Sequence, residues 1–271
     1  MTRLGTSSYI IPADILPNVE YLRSQVDDVE LVLFESREAS NIPSAFVISE
    51  LQRLAKENKL TYTVHLPYDV KAGSADEKER LHAVDMWERI IRLTACLPVH
   101  GFIVHLEPER YRNDDGTPCL QPADDVPAWK ERVCRSMREL KGRTGDVVRP
   151  ELLCVETLSY DLMNLLPDIL ENGFSITLDV GHLWLNGLYS PSYVRTLLPH
   201  TRIVHLHGVT GLKDHQGLDV HDRLQLCGFL DILKEYSDRD IVLTLEIFSA
   251  RDLEASLRVL DEAEAFTWLS T

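Results

Sequence analysis

The chain has 271 residues, of which 44% are hydrophobic and 26% charged, with 13 Gly and 13 Pro; this is ordinary globular composition and excludes disorder and low complexity. Twenty-eight Lys and Arg stand against 43 Asp and Glu, a formal net charge of −15, so long-range electrostatics repel polyphosphate backbones and anionic lipid, and neither nucleic acid nor a membrane is the expected partner. No stretch approaches about 20 apolar residues and the N-terminus lacks a signal-type apolar run, so a cytoplasmic location is expected.

In chain order, short apolar, β-branched runs predict strands at 3–11, 29–34, 61–66, 101–106, 152–157, 175–180, 203–207 and 241–248. Amphipathic segments separate them, with helix-start signals at Pro17, at Pro43-Ser44 and at Ser74 to Glu77. Later helical patterns are PAWKERVCRSMRELK, SYDLMNLLPDILENG ending at Gly173, PSYVRTLL, FLDILKEYS and ARDLEASLRVLDEAEAF. These make eight β-then-α units of about 34 residues each, the size of one right-handed crossover. The economical fold is a single α/β domain over 1–271, a (β/α)8 TIM barrel, with a doubly wound open sheet as the alternative. Two long connections, 107–128 and 208–224, follow strands and would lie on the C-terminal face, as a lid or substrate wall. Cys96, Cys119, Cys134, Cys154 and Cys227 are scattered without any C-x-x-C and read as free thiols, mostly buried.

The strand ends carry the chemistry. His65, His105, Glu156, Asp179, His205 with His207, and Glu246 close or lie within six of the predicted strands. An ionisable side chain at a barrel mouth loses hydration, and metal ligation compensates that loss. A mixed imidazole and carboxylate set suits Zn²⁺, Mn²⁺ or Fe²⁺ better than Mg²⁺ or Ca²⁺. His205 and His207 are two apart and face the same way, and the outer one, His207, is expected to reach the mouth with His205 deeper. In Asp179-Val180-Gly181-His182, the glycine is expected to let the chain turn so that His182 points back over the mouth. Asp219-Val220-His221 puts a carboxylate and an imidazole on one side of an extended loop. Glu35 ends the second strand, as a second base behind the site or a solvated carboxylate.

The ordered series His65, His105, Glu156, Asp179-x-x-His182, His207, Asp219-x-His221, Glu246 resembles the endonuclease IV and xylose isomerase-like TIM-barrel superfamily along the whole chain. The resemblance implies two or three divalent ions. One would sit on His65, His105 and Glu156; a second on Glu156, Asp179, His207 and Glu246; a third on His182, Asp219 and His221, with His205 as the alternative to His207. Tyr68, in HLPY, matches an active-site tyrosine of that family. The chain departs from the nucleases in having HLEPE where they have an HPG turn and HLHG where they have HLND, and in lacking an NDSK segment, so abasic-site cleavage is not expected. TSSYIIPADILPNVEYL, VDDVELVLFESRE and TYTVHLPYDV are similar to the cobamide-remodelling phosphodiesterases of this superfamily.

That resemblance implies a corrinoid substrate and a hydrolase that cuts the phosphoribosyl bond of the nucleotide loop, releasing a riboside and leaving cobinamide phosphate. Glu156 and Glu246 would orient the attacking water. Clustered divalent ions activate water and neutralise phosphate oxygens without a protein nucleophile. Two other functions fit parts of the pattern: a one-metal sugar isomerase or epimerase, and a corrinoid or metal carrier without turnover.

Overall fold

The computed structural model describes residues 2–36, 38–110, 113, 117 and 119–269. Eight parallel strands close on themselves: β1 (Arg3–Ser7), β2 (Asp28–Val32), β3 (Thr61–His65), β4 (Val99–Val104), β5 (Leu153–Glu156), β6 (Ser175–Asp179), β7 (Thr201–Leu206) and, after a hairpin of β8 (Gly208–Thr210) and β9 (Lys213–Gln216), β10 (Val242–Leu245). Their order around the barrel is β1-β10-β7-β6-β5-β4-β3-β2. Closure excludes the open doubly wound sheet, whose edge strands would remain unpaired. All eight predicted strands are present, several ending earlier than the apolar run suggests; β1 stops at Ser7, short of Ile11.

Helices α1 (Ile15–Leu22), α2 (Ala45–Asn58), α3 (Glu77–Thr94), α4 (Val126–Thr144), α5 (Leu166–Glu171), α6 (Val180–Leu185), α7 (Pro191–Leu197), α8 (Arg223–Lys234) and α9 (Ala250–Glu262) surround the sheet. The starts are set chemically. Ser44 accepts from the Val47 N–H at the head of α2 and Asp76 from the Lys78 N–H at the head of α3, and each such cap contributes about 1 kcal/mol. The buried face of α3 (Ala83, Val84, Trp87, Ile90, Ile91) recurs every three to four residues and packs on the sheet. Gly173, after α5, has φ +77°, the left-handed conformation that lets the chain leave a helix sharply.

The core has two parts. An outer layer of aliphatic and aromatic side chains fills the space between sheet and helices. Inside the barrel, Ile103, Cys154 and Ile203 pack together, and the fully buried Thr63, Thr177 and Thr244 complete the level. Each of these six lies two residues before His65, His105, Glu156, Asp179, His205 or Glu246. Since side chains two apart on a strand share a face, the layer that plugs the lumen is also the floor on which the site stands.

Cys119, Cys134 and Cys154 are buried, Cys96 is exposed and Cys227 half-buried, and none is in a disulfide. Among the described residues no helix is long and apolar enough to cross a membrane. Residues 111–112, 114–116 and 118 of the first long connection, where a lid is expected, lie outside the described residues. The second, 208–224, contains the β8–β9 hairpin and a 3-10 turn at Leu218–Val220.

Candidate metal centre

Glu156, the last residue of β5 and 0% exposed, is the hub. Its Oε2 lies 2.8 Å from His105 Nε2 and 3.6 Å from His65 Nε2, and its Oε1 lies 3.4 Å from His182 Nδ1 and 3.6 Å from His205 Nδ1. His65 donates Nδ1–H to the Leu66 carbonyl at 2.9 Å, which leaves the Nε2 lone pair toward Glu156. Beside it, the other ring nitrogen of His105 faces Glu107 Oε1 at 2.8 Å, so a carboxylate orients that imidazole from behind.

Asp179, the last residue of β6, belongs to two structures at once. Its Oδ1 accepts from the His182 N–H at 2.6 Å and caps α6, while Oδ2 lies 3.3 Å from His182 Nδ1 and 3.7 Å from His205 Nδ1. His205 Nδ1 also lies 3.1 Å from Glu246 Oε2. Glu156, Asp179, His205 and Glu246 form one group whose ligand atoms lie within 4.8 Å of one another; His65, His105 and Glu156 form a second, and His182, His207 and His215 a third.

The atoms facing inward are those a cation would take. Glu156 Oε1, Asp179 Oδ2, His205 Nδ1, His207 Nε2 and Glu246 Oε2 are buried without a geometrically sound hydrogen bond, a costly arrangement for a fold to keep unless an ion completes it. The donor set, imidazole nitrogens with carboxylate oxygens, fits a borderline divalent metal.

Electrostatics hold the cluster together by proton sharing when no metal is bound. Burial alone would lower the His105 pKa, but Glu156 and Glu107 on either side outweigh it and hold it up at about 10. His205 is raised well above its ordinary value against the same burial effect, by Glu246, Glu30 and Glu156. Burial would raise the carboxylates, yet His105 and His205 hold Glu156 well below its usual range, and His205 and His215 bring Glu246 to about 2.

The structure places several of the predicted ligands differently from the sequence expectation. His205, and not His207, joins Glu156, Asp179 and Glu246. The register decides it, because His205 pairs level with Asp179 on β6 and Thr244 on β10, whereas His207 lies beyond the end of β7. The His215 N–H lies 3.0 Å from the Nδ1 of His207, whose Nε2 lies 3.3 Å from Asp179 Oδ1. Gly181 is not a turn. It lies inside α6, and a Cβ there would come within 2.1–2.4 Å of three His207 ring atoms, so the need is for close approach.

Asp219 and His221 do not join His182, and among the described residues no ligand group includes them. His221 stacks on Trp184 with ring centroids 3.9 Å apart, and Asp219 faces Arg251 at 3.7 Å. The β8–β9 hairpin brings His215 over the mouth in their place, at φ +50°, a strained conformation of the kind that gathers at functional sites. Glu35 pairs with Arg89 and lines a separate cleft, away from the ligands. Sequence reasoning missed Glu30, Glu107 and His215. The i, i+2 spacings Asp28/Glu30 within an apolar strand and His105/Glu107 were the available signals; His215 offered none.

Above the ligands is a cavity of about 500 Å³ lined by His65, Tyr68, His105, His182, His215, Glu246 and Phe248 among others. Tyr68 is 53% exposed, and its ring centroid lies 5.8 Å from that of His105.

The family model described as xylose isomerase-like TIM barrel matches residues 23–264. The chain belongs to that family. This xylose isomerase-like barrel superposes on a D-tagatose 3-epimerase-like protein with a TM-score of 0.75 at 20% identity, covering 98% of each chain. It is also similar to 3-keto-D-glucoside 4-epimerase from E. coli (TM-score 0.71, 18% identity, 98% of this chain and 100% of that one) and to endonuclease IV from Thermus thermophilus (0.62, 18%, 96% and 99%). No curated protein sequence matches the xylose isomerase-like barrel. At these identities the likeness establishes the fold alone.

Proposed function

We propose that the protein is a metal-dependent phosphodiesterase that hydrolyses the phosphoribosyl bond in the nucleotide loop of adenosylated cobamides, for exchange of the lower ligand. The observation that carries the reading is the sharing of Glu156 between two adjoining ligand groups, with its Oε1 also 3.4 Å from a third-group imidazole. That is more ligation than a one-metal proton transfer needs. Glu156, Asp179, His205 and Glu246, with His65 and His105 beside them, would hold divalent ions, zinc fitting the donors best, and these would supply positive charge for the phosphate oxygens and a lowered water pKa of about 7.

The chain's own residues do the rest. Glu156 and Glu246 accept hydrogen bonds from the attacking water and aim it at phosphorus, and Tyr68 offers its hydroxyl at the mouth. Water oxygen bonds to phosphorus, the bond from phosphorus to the ribose oxygen breaks, and that oxygen leaves with a proton as a riboside. The cavity suits the nucleotide loop, while the corrin ring would lie outside on half-exposed Tyr68 and Phe248 and against Leu212 and Leu224, which are 70% and 84% exposed on the 208–224 connection.

Adenosylcobalamin incubated with metal-replete protein should yield an α-riboside and cobinamide phosphate by mass spectrometry. Cobyric acid, or unchanged cobamide with every divalent metal tried, refutes the proposal. A second reading, sugar epimerisation, is favoured by one observation: Glu156, Asp179, His205 and Glu246 alone make a four-ligand site for a single ion, and epimerases are prominent among the similar structures. One ion per active chain, with turnover of a ketose such as D-tagatose, would establish that reading instead.

A further inference from the structure

Beneath the ligands, on the side of the lumen away from solvent, β2 carries a carboxylate that neither the strand nor the outer core requires. Glu30 pairs through its backbone with Ser7 on β1 and Thr63 on β3, and is 0% exposed. Its Oε2 lies 2.8 Å from Nε2 of His205, also 0% exposed, while its Oε1 finds no hydrogen-bond partner. On the opposite edge of the same ring, His205 Nδ1 faces Glu246, Glu156 and Asp179 at 3.1, 3.6 and 3.7 Å.

We infer that Glu30 is a positioning residue for the deepest ion: it takes the Nε2–H of His205 and so fixes the tautomer whose lone pair, on Nδ1, points at Glu156, Asp179 and Glu246. An imidazole on a freely rotating bond offers either nitrogen to a metal, and the hydrogen bond made by the other nitrogen selects which. His105 and Glu107 repeat the arrangement in the neighbouring group with the two nitrogens exchanged, Nε2 inward and Nδ1 on the carboxylate. A purely structural role leaves the unpartnered Oε1 of Glu30 unexplained, because a fold seldom keeps a buried carboxylate oxygen without a partner. The inference rests on the metal reading of the site and is independent of the substrate.

The test therefore uses no substrate. Glu30→Gln keeps size and an acceptor oxygen but not the charge. In a chelator competition with Co²⁺, the variant's tightest site should weaken by about 10- to 100-fold, and the visible cobalt bands should shift. Wild-type affinity and wild-type bands in Glu30→Gln would overturn the inference, as would a lowered metal-free melting temperature with affinity intact.

Should the variant not fold, the wild type decides. With ¹¹³Cd bound and ¹⁵N-labelled histidine, NMR should show coupling to Nδ1 of His205 with a proton retained on Nε2, and coupling to Nε2 refutes the assignment. If the coupling is found and adenosylcobalamin is not cleaved, the phosphodiesterase proposal fails while the role of Glu30 stands.

Discussion

Glu156→Gln in the metal-free protein is the perturbation for which the structure gives the clearest magnitude. The ordinary histidine pKa is about 6.5, and the rise of His105 to about 10 corresponds to about 5 kcal/mol of net stabilisation, the attraction of its two carboxylate neighbours less the cost of burial. Glu156 supplies the larger attraction and also holds the His205 proton. Removing its charge should cost about 3 kcal/mol, at the lower end of what breaking a buried pair costs, and lower the melting temperature by roughly 6–12 °C.

The sign with pH follows from the raised value. The folded protein holds the His105 proton more tightly than the unfolded chain, so the stabilisation is fully present below about 6.5 and disappears as pH rises through about 10. Chelator-treated wild type and Glu156→Gln, compared by differential scanning fluorimetry from pH 6 to 10.5, should therefore differ most at the acid end and converge at the alkaline end. Equal melting temperatures at pH 6–8, or a gap that does not change up to pH 10.5, would refute the proton-sharing account of the cluster.

Because His105 and His205, one in each of two ligand groups, hold protons that a metal must displace, zinc binding at pH 7 should release about one proton per ion in those groups and tighten as pH rises toward about 10; calorimetry in buffers of different ionisation enthalpy measures it, and no release contradicts it. Gly181→Ala should push the His207 ring out of place and cost about 1–3 kcal/mol, as overpacking does, while elemental analysis still finds metal in the group on Glu156, Asp179, His205 and Glu246. His215→Ala should weaken or empty the third group; His221→Ala should leave the metal content unchanged and lower only the melting temperature. Equal metal loss in both would return His221 to the site.

The barrel and most of the centre were legible because period-two alternation is rigid: once TYTVH or SITLD is a strand, its last residue shares a face with the one two before it. The same rigidity made His205 and His207 indistinguishable, since both face inward and only the register with β6 and β10 separates them. Loops carry no such period. Asp219-x-His221 had ligand spacing but a backbone path that leads to Trp184, and His215 reaches the mouth through a hairpin whose strands, GVT and KDHQ, show no apolar alternation. Helix α6 escaped because six residues containing a glycine offer no amphipathic pattern, and its cap is the same aspartate that reads as a ligand.

That double duty of Asp179 ties assembly of the centre to the chain's path beyond it. A residue that both starts a helix and faces an ion cannot be exchanged for another ligand type without reopening the helix. Glutamate would carry its oxygens one bond further from the His182 N–H, and histidine would offer that N–H a ring nitrogen in place of a carboxylate oxygen. Drift at this position is thus blocked on two unrelated grounds. His182 rides on the first turn of α6, so an ion bound against Asp179 would also brace the wall of the cavity, and an emptied centre should begin to loosen there.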